Sequence, residues 1–100
     1  VVLFCYHDDY SKDVAFRLAP ILRNEAHRMI RNTKSFQILK GFRGRPKTDL
    51  MDLEKQIVSL SDMVMDNPEI LELDINPLRV LPKGQGTVVV DCRMILKKIE

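Results

Sequence analysis

One hundred residues fit a single domain or part of one, with room for only a small core. At 45% hydrophobic and 30% charged residues, the chain has the balance of a folded globular protein, which excludes disordered and collagen-like classes. Sixteen basic against fourteen acidic residues leave a net charge of +2, too little to argue for nucleic acid or an anionic membrane as partner.

Residues 1–6 form a β-branched and aromatic run that predicts a buried strand, and His7-Asp8-Asp9-Tyr10-Ser11 reads as a turn. The run is too short for a membrane span or a signal-peptide core, and without an initiator Met the chain reads as an excised segment. Residues 14–18 predict a second strand, stopped by Pro20, which has no amide hydrogen for a ladder. A short helix is expected over 24–32, with Ala26, Met29 and Ile30 on one face.

Basic residues concentrate over 23–47, where Glu25 is the only acidic residue. Such a run serves a phosphate-rich ligand or forms a solvated face. A nucleic-acid module would interleave aromatics, whereas only Phe36 and Phe42 occur there and the chain has no Trp. Gly41, Gly44 and Pro46 make 33–47 mostly loop, with room for one helical turn.

The clearest helix spans 49–66, where Leu50, Leu53, Ile57, Leu60 and Val64 recur at three- and four-residue intervals. Thr48 offers an N-cap hydroxyl, and Asp49 and Asp52 fall in the first turn, where the helix dipole favours negative charge. Asn67-Pro68 ends it. Residues 70–81 then alternate, Pro82-Lys83-Gly84-Gln85-Gly86 turns, and 87–96 returns as the second arm of a hairpin. The element order predicts an α+β fold with a mostly antiparallel sheet and helices packed on one face. Cys5 and Cys92 lie far apart without metal-ligand or disulfide spacing, so buried free thiols in a reducing compartment, the cytoplasm, are expected.

Strand alternation puts Glu72, Asp74 and Asn76 on one face of the first arm and Leu71, Leu73 and Ile75 on the other. A turn centred on Lys83-Gly84 pairs Ile75 with Cys92, Leu73 with Met94 and Leu71 with Leu96, an apolar face throughout. The polar face then pairs Asn76 with Asp91 and Asp74 with Arg93, and a slip by one residue would scramble this sorting. An amide oxygen beside a carboxylate suits Mg²⁺, which takes one or two protein ligands plus phosphate oxygens and waters. Without a nucleotide nearby, the same two residues form a hydrogen-bonded surface couple.

Glu72-Leu73-Asp74-Ile75-Asn76-Pro77-Leu78, returning through Val88-Val89-Val90-Asp91-Cys92-Arg93, closely resembles the end of the ATP-grasp domain in ADP-forming acetyl-coenzyme A synthetases. Two further segments resemble the same branch: Lys12-Asp13-Val14-Ala15-Phe16-Arg17-Leu18-Ala19-Pro20 and Gly41-Phe42-Arg43-Gly44-Arg45-Pro46. The resemblance runs over residues 12–96 and implies that 1–100 is the carboxy-terminal half of an ATP-grasp domain, too short for a whole enzyme. It implies Mg²⁺ and ATP or ADP as cofactors, with Asn76 and Asp91 as metal ligands and Asp74 either behind them or simply paired with Arg93. Arg17, Arg43 and Arg45 are expected to meet phosphate, as a planar guanidinium can, or to brace loops.

The implied partners are the nucleotide, the amino-terminal ATP-grasp subdomain, and the coenzyme A and phosphohistidine domains or subunit; nucleic acid and membrane are not expected. The implied reaction makes acyl-coenzyme A from an acid, coenzyme A and ATP, through a phosphohistidine in another domain. His7 is therefore not the phosphorylated residue, and His27 is expected to be structural or exposed. Leu22 stands where relatives often carry a helix-capping hydroxyl, so the first helix is expected to start raggedly. No glycine-rich GxxxxGK loop occurs, and the segment alone is not expected to turn over. The alternative is a ligand-binding regulatory region fused to a protein acetyltransferase.

Overall fold

The computed structural model describes residues 3–8, 14–32, 36, 41 and 47–98, with 3–8, 14–16, 76 and 77 described by their backbone. Strands β1 (Leu3–Asp8) and β2 (Val14–Leu18) precede helices α1 (Arg23–Arg31) and α2 (Leu50–Asp66), and β3 (Ile70–Val80), β4 (Thr87–Val89) and β5 (Cys92–Leu96) follow. The five strands form one sheet in the order β2-β1-β3-β4, with β5 also paired to β3. Neighbours run antiparallel except β1 and β3, which are parallel. Parallel neighbours need a long crossover, and β2 with the two helices supplies it.

The helices cover one face of the sheet. On α1 the buried residues are Ala26, Met29 and Ile30, and on α2 Leu53, Ile57, Ser61 and Val64. They meet Leu73, Ile75, Leu78 and Val80 of β3 in the core cluster. Ser61 has a specific task there: its Oγ accepts the Ile21 amide at 2.6 Å, so neither buried polar group is left unpaired. Outside the core, Arg23 donates to Glu54 at 3.1 Å and His27 meets the same carboxylate, tying α1 to α2. His27 is thus an exposed bracing residue, as its place on the helix implied. Leu22 precedes α1 without a side-chain capping bond, in keeping with the ragged start.

Several local expectations are corrected. The strand β1 continues through His7 and Asp8, where a turn was expected, because Asp8 still pairs with Leu78. Residues 9–13 lie outside the described residues. Asp49, not Thr48, caps α2: its carboxylate accepts the Asp52 amide at 3.2 Å, while Thr48 forms an isolated β-bridge with Pro82. The returning arm is two strands, broken at Val90 and Asp91. Leu96 pairs with Ile70 in place of Leu71, through a bulge between Ile70 and Glu72.

The apolar face is also narrower than the alternation implied. Leu73 and Ile75 are fully buried, yet Leu71, Met94 and Leu96 remain 41%, 46% and 57% exposed, because the helices cover β3 and stop short of the β5 edge. Cys92 is likewise exposed. Among the described residues no helix is long and apolar enough to cross a membrane.

Candidate metal centre on the β3–β5 hairpin

The turn between β3 and β4 sets the register of everything below it. Gln85 donates to the Pro82 carbonyl at 2.9 Å and Leu81 to that of Gly86 at 3.0 Å. Gly84, third in this turn, has φ +88°, a conformation glycine enters without steric cost. Leu78 then faces Val89 and Val80 faces Thr87, while beyond the break Ile75 faces Cys92 and Asp74 faces Arg93. The register is the same on both sides of the break, and continuing it through the break sets Asn76 opposite Asp91 and Pro77 opposite Val90, positions that form no ladder pair themselves. The expected pairing of Ile75 with Cys92, Leu73 with Met94 and Asp74 with Arg93 therefore holds at the level of the backbone.

The pairing sits at an irregularity. Relative to β1, the register of β3 shifts between Ile75 and Leu78. The buried set changes parity at the same point: Leu73 and Ile75 are inside before it, Leu78 and Val80 after it, and Arg79 is exposed. A bulge reverses the faces of a strand and re-aims its side chains, and Pro77 brings no amide hydrogen to the ladder there. Sequence alternation across 70–81 misses this reversal. The shift of apolar positions from odd to even numbers, with a proline in mid-strand, is the signal that reveals it.

Asp91 is exposed, and its Oδ1 accepts the Cys92 amide at 2.8 Å. Asp74 lies further down β3 on the face away from the helices, partly buried, with Oδ1 enclosed and without a hydrogen-bond partner among the described residues. It stands across from Arg93 but forms no ion pair with it among the described residues, which corrects the simple Asp74–Arg93 couple. The Cys92 thiol is pushed above its ordinary pKa, first by the partial burial it has, then by the charges of Asp91 and Asp74. Glu72 is exposed beside them. Arg17 is partly buried on β2, and Arg43 and Arg45 lie outside the described residues. The residues brought to the hairpin are thus Asn76, Asp91 and Asp74.

Sequence reading missed what holds the hairpin. The Asp49 carboxylate that caps α2 also accepts the amides of Gly84 at 3.1 Å and Gly86 at 2.9 Å. Thr87 adds a hydroxyl bond to Asp52 at 2.8 Å, and Asp49 donates its own amide to the Leu81 carbonyl. One carboxylate therefore fixes both a helix start and a hairpin tip. The signal was present in a Thr-Asp-x-x-Asp start and a turn whose glycine amides need an acceptor.

Two outcomes follow. Asp49 has its pKa lowered from 3.8, chiefly by the Gly86 amide, with the Asp52 and Gly84 amides and the charge of Lys83 acting the same way against desolvation. A depressed carboxylate stabilises the fold fully above its unfolded value and loses that contribution as pH falls through the folded value. Urea midpoints of the chain and of Asp49→Asn should therefore differ near neutral pH and converge in acid below 3.8. Gly86→Ala should cost about 1–2 kcal/mol in the same assay, since φ +84° is the left-handed region for an L-residue and the new Cβ would lie 3.4 Å from Asp52 Oδ2.

Comparison with known proteins carries the site to a family. A family model described as an ATP-grasp domain matches residues 7–96. An ADP-forming acetate–CoA ligase I of Archaeoglobus fulgidus is 45% identical over 85% of this chain, which spans 12% of that protein. The β subunit of ADP-forming acetate–CoA ligase II of Pyrococcus furiosus is 42% identical over 86% of the chain, spanning 37% of the subunit. Among solved structures, the dinucleotide-forming acetyl-coenzyme A synthetase 1 of Ca. Korarchaeum cryptofilum, in complex with coenzyme A and Mg-AMPPCP, superposes with a TM-score of 0.74. Its identity is 38%, over 85% of this chain and 39% of that one. This chain belongs to the ATP-grasp domain family, and its relatives include ADP-forming acetate–CoA ligases.

Proposed function

We propose that the chain is the carboxy-terminal, metal-binding half of the ATP-grasp domain of an ADP-forming acid–CoA ligase. The parent converts an acid, coenzyme A and ATP to acyl-coenzyme A, ADP and phosphate through a phosphohistidine carried by another domain. The observation that supports the reading is the common register of β3 with β4 and β5, which, continued through the break at Val90 and Asp91, puts Asn76 opposite Asp91, in a chain whose relative is solved with Mg-AMPPCP.

The donors fit the metal. Among the described residues there is no group of three or more His, Cys, Asp or Glu that would enclose an ion. That absence suits Mg²⁺, which keeps most of its shell for waters and phosphates and uses hard oxygen ligands. Asp91 offers an exposed carboxylate already oriented by the Cys92 amide, and Asn76 an amide oxygen on the neighbouring strand, with the charge of Asp74 further down β3. Magnesium, when bound, neutralises the terminal phosphates of the nucleotide.

The chain's own residues do the positioning. The Asp49 bonds hold the hairpin tip against α2, so the two arms keep their register and the donors keep their places. Arg17, Arg43 and Arg45 are assigned as phosphate contacts, with the amino-terminal ATP-grasp subdomain closing the nucleotide site. The parent is proposed to act in the cytoplasm, where ATP and coenzyme A would be at hand. The regulatory alternative has no support among the relatives named above. Equilibrium binding of Mg-ADP to the full-length parent tests the reading: wild type binds, Asp91→Ala does not, and equal binding by both removes the metal assignment.

A further inference from the structure

We propose that Arg93 is a phosphate contact of this site, its guanidinium donating to oxygens of the nucleotide's terminal phosphate; the inference rests on the magnesium–nucleotide reading above. Arg93 stands directly across from Asp74, and residues directly opposite in an antiparallel pair project to the same face. The next pair, Leu73 and Met94, belongs to the helix side, where Leu73 is fully buried. Arg93 therefore projects from the helix-free face, two residues beyond Asp91.

Arg93 lines a cleft of about 540 Å³ together with Glu72, Asp74, Met94 and Ile95. An arginine beside two carboxylates ordinarily closes on one of them, since bidentate pairing is among the stronger polar contacts. Here it does not. Among the described residues, Arg93 stays exposed with no ion pair to Asp74 or Glu72, while Asp74 Oδ1 remains enclosed without a partner.

Arg93 thus lines the cleft with no carboxylate closed on its guanidinium among the described residues. A ligand that serves this cation must bring acceptor oxygens. The terminal phosphate of a magnesium-bound nucleotide would bring them. Arginine's planar fork matches phosphate oxygens in a way a lysine ammonium does not.

The test is calorimetric titration of the full-length parent with Mg-ADP and, separately, with AMP, which lacks the terminal phosphate. Arg93→Gln is expected to weaken Mg-ADP roughly tenfold or more, the scale of a lost charged hydrogen bond, while AMP affinity changes less than about twofold. Arg93→Lys keeps the charge and should fall between wild type and Arg93→Gln. Should Arg93→Gln fail to fold, the ADP-to-AMP ratio of Arg93→Lys is read instead, and a ratio equal to wild type overturns the proposal. Unchanged Mg-ADP affinity in Arg93→Gln, or equal losses for ADP and AMP, also overturns it. If Asp91→Ala loses Mg-ADP and Arg93→Gln does not, only the role of Arg93 falls. A wild-type parent that binds no Mg-ADP overturns the site reading and this inference together.

Discussion

Asp91→Ala in the full-length parent is expected to lower kcat/KM for acyl-coenzyme A formation by at least about a hundredfold, because charge neutralisation at phosphate by a held metal is worth several kcal/mol. Asn76→Ala should do the same. Asp91 is exposed and bonds only its neighbour's amide among the described residues, so its removal exposes no core and the thermal transition should stay near that of wild type. The loss should shrink as magnesium is raised in Asp91→Asn, which keeps one oxygen ligand and drops the charge. Wild-type rates in Asp91→Ala would refute the assignment.

Leu53→Ala should show the largest loss of stability. Leu53 is fully buried on α2 within the core shared with β3, where truncation removes transfer free energy and leaves a cavity, about 2–5 kcal/mol for such a change. In a domain of this size that corresponds to a fall in Tm on the order of 10–20 °C, read by circular dichroism. Met51, two positions earlier and 74% exposed, is the control: Met51→Ala should stay within about 0.5 kcal/mol. A small effect at Leu53 would mean that α2 does not anchor the sheet.

The fold was legible where periodicity and turn chemistry agree. The stripe from Leu50 to Val64 gave α2 to within a residue of its start, and Lys83-Gly84 gave a hairpin register that holds on both sides of its break. Alternation fails where a bulge intervenes, because a pattern of period two carries no mark of a skipped residue. Hence Leu71 was paired wrongly, and the reversal at Asn76-Pro77 passed unread.

Tertiary contacts made the remaining differences. Asp49 displaced Thr48 as the cap because its carboxylate also meets amides 35 and 37 residues away, a pairing no local rule contains. The parallel β1–β3 contact likewise joins segments separated by both helices. At the candidate site, the register of Ile75 with Cys92 and Asp74 with Arg93, on which the proposed Asn76–Asp91 juxtaposition depends, was legible because it follows from the turn. The separation of Asp74 from Arg93 was not, since register brings residues opposite each other without deciding whether their charged ends close.

The most direct measurement is an anomalous-scattering map of the full-length parent crystallised with ADP and Mn²⁺ in place of Mg²⁺. A manganese peak within coordination distance of both the Asn76 amide oxygen and an Asp91 carboxylate oxygen, touching the nucleotide's terminal phosphate, is the expected result. A peak held by other residues, or Asn76 and Asp91 directed to opposite sides of the sheet, would contradict it.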